Sequence, residues 1–283
     1  MELFVNILKA ILALGLLGLM FGALLAFAGR IFAVKTDARL EPLNEALPGA
    51  NCAGCGYSGC AAYAGAILAG EAATNRCSAG GDDVTLKLSE IMGVTAEPVA
   101  RRRAQVMCSG ARGLARIKYE YIGIPDCNSA MKLSGGDKLC PYGCLGLGSC
   151  ADACKFDAIE VKNGVAAIKY EKCRACGACA SACPKRIIKL IPYDEKYWVG
   201  CSSRDKGSVV RSYCDVGCMS CKLCEKACAH GAIRVDEGVA AIDYARCRDC
   251  GDCVEACPRK VIWSKQTQRK GVFLERKDVD SRA

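Results

Sequence analysis

The chemistry of this chain lies in its cysteines, 24 among 283 residues. Cys173-x2-Cys176-x2-Cys179-x3-Cys183-Pro184 returns as Cys247-x2-Cys250-x2-Cys253-x3-Cys257-Pro258, every position displaced by 74. Four thiols packed so closely cannot serve as a hydrophobic core. As thiolates they are soft ligands for iron–sulfur clusters or zinc. Zinc ribbons rarely use three Cys at successive x2 spacing, whereas CxxCxxCxxxCP is the bacterial ferredoxin run. In two-cluster ferredoxins its fourth Cys ligates the other [4Fe–4S] cluster.

The duplication extends beyond this run. Cys154 corresponds to Cys228, and GVAAI at Gly164–Ile168 recurs at Gly238–Ile242. The partner half of the second repeat is Cys218-x2-Cys221-x2-Cys224-x3-Cys228; that of the first is Cys140-x3-Cys144-x5-Cys150-x3-Cys154. Leu147 stands where the repeat requires a counterpart of Cys221, and Cys140 is the nearest substitute. The crossed ligation rule then predicts four sites: Cys218, Cys221, Cys224 and Cys257; Cys247, Cys250, Cys253 and Cys228; Cys173, Cys176, Cys179 and Cys154; and Cys144, Cys150, Cys183 and Cys140. A fifth set, Cys52-x2-Cys55-x4-Cys60-x16-Cys77, lies near the N-terminus, where Gly54, Gly56 and Gly59 allow a tight wrap around a cluster. Cys108, Cys127, Cys201 and Cys214 remain, enough for a sixth [4Fe–4S] cluster joining the two ferredoxin units. The rival reading of these four is buried free thiols.

An α+β fold must position these ligands. Ile159–Lys162 and Val165–Ile168 flank Asn163-Gly164, a hairpin signal, and Glu237-Gly238 takes that place in the second repeat. Ala61–Ala69 reads as a short helix, and a second opens over Ser89–Met92 before Glu97-Pro98. The chain divides into an anchor (1–30), an N-terminal [4Fe–4S] module (31–85), a connector (86–126), two ferredoxin-like units (127–200 and 201–265) and a charged tail (266–283).

From Ala10 to Gly29 no residue is charged. Twenty helical residues span about 30 Å, the thickness of a bilayer's hydrocarbon. Arg30, Lys35 and Arg39 follow, so the positive-inside rule places the N-terminus outside and the Fe–S domains on the cytoplasmic side of the cell (inner) membrane. Ala26-Phe27-Ala28 has the form of a signal-peptidase site, but the apolar run is too long for a usual signal peptide and the preceding region is not distinctly basic. A single uncleaved span is therefore expected. Gly18-x3-Gly22 suits packing against another membrane helix.

Composition narrows the function. His230 is the single histidine, which excludes bis-His haem. Following Cys228-Ala229, it reads as a surface turn or as a tuner of that cluster. Aromatic residues are 6% and the basic excess is scattered, so nucleic acid is not an expected partner. Arg101-Arg102-Arg103 reads as a solvated helix face. The chain shows no GxGxxG after a strand and no Walker A motif, so flavin, NAD and haem are not expected in it, and neither is a catalytic residue. The formal charge is +9 with every Cys counted neutral. Six clusters of about −2 each would bring it to about −3.

The single span, CxGCGxxxC with a distant Cys, GGDKLCPYGCLGLGSC and the tandem ferredoxin runs together closely resemble the B component of the Rnf complex. The resemblance covers nearly the whole chain. It implies a membrane-bound ferredoxin:NAD⁺ oxidoreductase coupled to Na⁺ or H⁺ translocation, in which this component takes electrons from soluble ferredoxin. The other partners are membrane subunits and flavoprotein or NAD-binding subunits of the same complex. By motif, Cys52, Cys55, Cys60 and Cys77 match the family's membrane-proximal cluster, and Cys173, Cys176, Cys179 and Cys183, with Cys154, match a ferredoxin pair member. Leu147 and the thiols Cys108, Cys127, Cys201 and Cys214 depart from the shorter members with one ferredoxin unit. A membrane-anchored polyferredoxin of another redox complex, or a system that keeps a redox-sensing regulator reduced, would share most of these features.

Overall fold

The computed structural model describes residues 1–32, 37–98 and 100–265. Lys35 and the charged tail 266–283 lie outside the described residues.

Helix α1 runs Glu2–Ile31, and its window Phe4–Ile31 has a mean hydropathy of 2.5 with none of it buried in the protein. Leu12, Leu16, Leu19, Phe21 and Leu25 are all exposed. A helix apolar on every side with no protein cover finds its matching solvent in a bilayer, where its backbone bonds are satisfied internally. Met1–Glu41 forms one unit and the chain from Pro42 onward another.

Three helices accompany the first cysteine set. α2 spans Leu40–Ala46, α3 Cys60–Leu68 and α4 Gly81–Met92. α3 buries Tyr63, Ala64, Ala66 and Ile67. The Tyr63 hydroxyl donates to the Ala73 carbonyl (2.8 Å) and accepts from the Arg76 amide (3.1 Å), drawing the loop that carries Cys77 toward the helix. α4 opens eight residues before the expected Ser89. Asp82 and Asp83 suit the positive end of its dipole, and Gly93, at φ 67°, closes it.

Two ferredoxin-like units follow. The first comprises β1 (Arg102–Val106), α5 (Cys127–Lys132), α6 (Ser149–Asp152), β2 (Ile159–Lys162), β3 (Val165–Ile168), α7 (Ala178–Ala182) and β4 (Ile188–Pro192). The second comprises β5 (Tyr197–Val199), α8 (Gly207–Tyr213), α9 (Leu223–Ala227), β6 (Ile233–Asp236), β7 (Val239–Ile242), α10 (Asp252–Glu255) and β8 (Ile262–Ser264). β2–β3 and β6–β7 are antiparallel hairpins. Their turn residues Asn163–Gly164 and Glu237–Gly238 all have positive φ, as a two-residue type I′ loop requires.

The remaining strands pair across the expected boundaries. β1, in the segment expected to be a connector, pairs with β4 through Ala104↔Leu190. β5, expected at the end of the first unit, pairs with β8 through Trp198↔Trp263. The last strand of each unit needs a partner for its open edge, and the chain just upstream of that unit's ligands supplies it. This also corrects the reading of Arg101–Arg103 as a solvated helix face. Arg103 lies in a strand and is fully buried. Its guanidinium sits 4.2 Å from the Tyr170 ring centroid and 5.4 Å from that of Trp198, and donates to Gln105 Oε1 (2.6 Å) and the Glu195 carbonyl (3.1 Å).

Candidate metal centres

The duplication is written into the backbone of the ligand loops. Ala175 and Asp249, the residues before Cys176 and Cys250, both have φ near +50°. Gly177 and Gly251, just after those cysteines, are also left-handed and cap α7 and α10. Ser220 and Lys222 flank Cys221 in the same way. This alternation winds each Cys-x2-Cys loop around one point, so successive thiols converge. Gly148 keeps that conformation after Leu147, so the first unit retains the loop where it has lost the ligand.

The thiols fall into six groups of four. Cys52, Cys55, Cys60 and Cys77 line one cavity, the module site. Cys154, Cys173 and Cys176 surround Cys179; burial first, and these neighbours after it, push its thiol up to about 12. We term this the first outer site. Cys127, Cys144, Cys150 and Cys183 line another cavity, the first inner site. Cys108, Cys140, Cys201 and Cys214 line a third, the linking site. Cys218, Cys221, Cys224 and Cys257 line the second inner site, and Cys228, Cys247, Cys250 and Cys253 the second outer site.

Two cysteines are exchanged relative to the sequence expectation. Cys140, expected with Cys144, Cys150 and Cys183, lines the linking site; Cys127, expected with Cys108, Cys201 and Cys214, lines the first inner site. The cause is a local clasp. Asp126 caps α5 by accepting from the Ser129 amide (2.8 Å), and it also accepts from the Ser149 hydroxyl (2.7 Å). Ser149 Oγ in turn accepts from the Cys127 amide (2.7 Å), which pins Cys127 beside Cys150. These hydrogen bonds, that of Ser149 foremost, hold the Asp126 carboxyl well below the usual carboxylate range. The signal for Cys140 was its displacement by 74 from Cys214. Each stands four residues before its repeat's next thiol, Cys144 or Cys218, and both face the junction between the units.

Backbone amides point at the sulfurs. Ala158 donates to Cys154 Sγ (3.4 Å) and its counterpart Ala232 to Cys228 Sγ (3.3 Å). Ala104 donates to Cys173 Sγ (3.3 Å), Cys144 to Cys108 Sγ (3.4 Å) and Ser203 to Cys201 Sγ (3.4 Å). Such donors stabilise negative sulfur and set cluster potentials. Burial opposes ionisation of the bare thiols and pushes Cys150, Cys201 and Cys253 up to about 12. All 24 thiols are free. Four convergent thiols with no histidine among them fit a [4Fe–4S] cluster at each site, and inward N–H donors serve both outer sites and the linking site. His230 stands exposed on the rim of the second outer site. Glu195 and Asp249 lie beside Cys247, with ligand atoms within 4.8 Å of one another.

The sites form a series. Gly54 of the module packs on the backbone of Cys176, where an added Cβ would meet its Cα at 2.9 Å. Lys155 joins the same two parts by donating to the carbonyls of Ala50 and Asn51. Cys179 of the first outer site lies near Cys150 of the first inner site. The Cys144 amide reaches Cys108 of the linking site. Cys201 lies beside Cys218 of the second inner site. Cys224 then lies near Cys253 of the second outer site, repeating the Cys150–Cys179 relation 74 residues on.

Comparison with known proteins finds iron–sulfur domains in this chain. A family signature described as "Putative Fe-S cluster" matches residues 47–79, a "4Fe-4S binding domain" residues 166–189 and a "4Fe-4S dicluster domain" residues 217–269. The B component of the Na⁺-translocating ferredoxin:NAD⁺ oxidoreductase complex of Acetobacterium woodii is 44% identical over 88% of this chain and 75% of its own. The B component of the ion-translocating oxidoreductase complex of Methanosarcina acetivorans is 38% identical over 90% and 97%. The counterpart from the proton-translocating ferredoxin:NAD⁺ oxidoreductase complex of Clostridium ljungdahlii is 37% identical over 91% and 92%. The chain belongs to their family, the B component of the Rnf complex, an iron–sulfur electron-transfer subunit of an ion-translocating oxidoreductase.

Proposed function

We propose that this chain is a wire of six [4Fe–4S] clusters that takes electrons from reduced ferredoxin at its second ferredoxin-like unit. It delivers them through the linking site and the first unit to the N-terminal module. From there they pass to membrane subunits of the complex, for NAD⁺ reduction coupled to Na⁺ or H⁺ translocation. The observation that carries this reading is the unbroken series of thiol sets, each beside the next. Two further features support the direction. Cys221 and Cys250 are exposed, so both sites of the second unit offer an edge to a soluble donor. At the other end, the module follows the apolar helix by a short linker, with basic residues between them that favour the cytoplasmic side.

The clusters supply one-electron chemistry. The chain contributes thiolate ligands, N–H donors that tune them, and packing that excludes water. It needs no acid, base or nucleophile. The test is Cys52→Ala in the intact complex. Ferredoxin-dependent NAD⁺ reduction should stop while the clusters of both ferredoxin units remain reducible. Full activity in that variant would refute the wire.

A further inference from the structure

Lys138 carries a charge into the interior. It is 2% exposed, and its ammonium donates to the carbonyls of Gly110 (2.6 Å) and Gly164 (2.9 Å). Among the described residues it makes no salt bridge. Two carbonyl dipoles solvate an ammonium but do not neutralise it, and a buried charge without a counter-charge is costly. The position indicates where the counter-charge lies. Lys138 lines the linking cavity beside Cys108, Cys140 and Cys214. The Cys144 amide bonded to Cys108 Sγ brings the first inner site up to the same wall. A [4Fe–4S] core with four thiolates is an anion of about −2, and of about −3 once reduced.

We propose that Lys138 is a buried counter-charge of the linking cluster, in addition to Arg259 at the Cys214 carbonyl, and raises its reduction potential, making the junction between the two ferredoxin units readily reduced. The inference rests on the reading that the linking site holds a cluster. Its sign is fixed: a nearby cation favours the form with the extra electron, so removing it lowers the potential. The hydrogen bonds and the charge are separable, because Lys138→Gln keeps a donor for one carbonyl and Lys138→Arg keeps the cation.

The test is a potentiometric titration of the intact complex followed by electron paramagnetic resonance, with iron counted on the same samples. The component that disappears in Cys214→Ala identifies the linking cluster. In Lys138→Gln the iron count should be unchanged. That component should shift to lower potential by at least tenfold in its one-electron equilibrium constant, or 59 mV, and by more than any other component. Lys138→Arg should restore most of the shift. An unshifted component in a fully loaded Gln variant would overturn the proposal, as would an equal shift in the Arg variant. Loss of the linking cluster from both Lys138→Gln and Lys138→Met would overturn it too, since that is a structural role. A wild-type chain short of four irons, with no component sensitive to Cys214, would instead overturn the cluster reading of the site.

Discussion

The exchange of Cys127 and Cys140 between sites makes a quantitative prediction about double variants. With four irons at each of six sites, a loaded chain carries about 24. Cys127→Ala and Cys183→Ala each open the first inner site, and each should cost about four irons. Because both fall on one cavity, the double variant should also lose only about four. The same holds for Cys140→Ala with Cys214→Ala at the linking site. Cys140→Ala with Cys183→Ala strikes two cavities and should lose about eight. The grouping read from spacing alone gives the opposite pattern, about eight, eight and four irons lost. Iron and sulfide analysis of anoxically purified complex, with spin counts after reduction, distinguishes the two. The clasp among Asp126, Ser149 and Cys127 is the physical reason for the first pattern, and observing the second would refute it.

The geometry makes three further predictions. Gly54→Ala places a Cβ 2.9 Å from the Cys176 Cα and 3.1 Å from its carbonyl oxygen, so the module must shift. Thermal melts should show about 1–3 kcal/mol of destabilisation, and rapid-mixing spectroscopy slower reduction of the module cluster with iron retained. Asp249→Asn removes a negative charge beside Cys247, so a redox titration should find the second outer cluster moved to higher potential. In the cluster-free chain, burial holds the thiols of Cys150, Cys179, Cys201 and Cys253 at about 12, against an unfolded value of 9.0. The stability they contribute is complete below pH 9 and is lost as pH rises toward 12. Circular dichroism should therefore show the cluster-free chain unfolding across that window, while the loaded chain, whose thiols are already thiolates, does not follow the same curve.

Much of the site was legible because a duplication can be checked by subtraction. The 74-residue offset located both ferredoxin runs, both hairpins and the missing ligand at Leu147. The hairpins were legible because type I′ turns demand residues that tolerate positive φ, and Asn163-Gly164 announces one. What escaped depends on tertiary contact. β1 is five residues long and opens on a basic run; its Arg103 and Gln105 are buried by aromatic faces and hydrogen bonds that only the folded units bring together. The replacement of the lost ligand by Cys127 was hidden because it comes from a helix outside the ferredoxin run, held there by a serine and an aspartate that no metal motif includes. The start of α4 escapes a reading by pattern because its first turn opens on Gly81, Asp82 and Asp83.

The central claim is the order of the sites, and interrupting the middle tests it most directly. In complex carrying Cys214→Ala, reduced ferredoxin should rapidly reduce the second inner and second outer clusters. The first unit and the N-terminal module should stay oxidised, and NAD⁺ reduction should stop. Freeze-quench spectroscopy that found the module cluster reduced at the wild-type rate in this variant would contradict the wire.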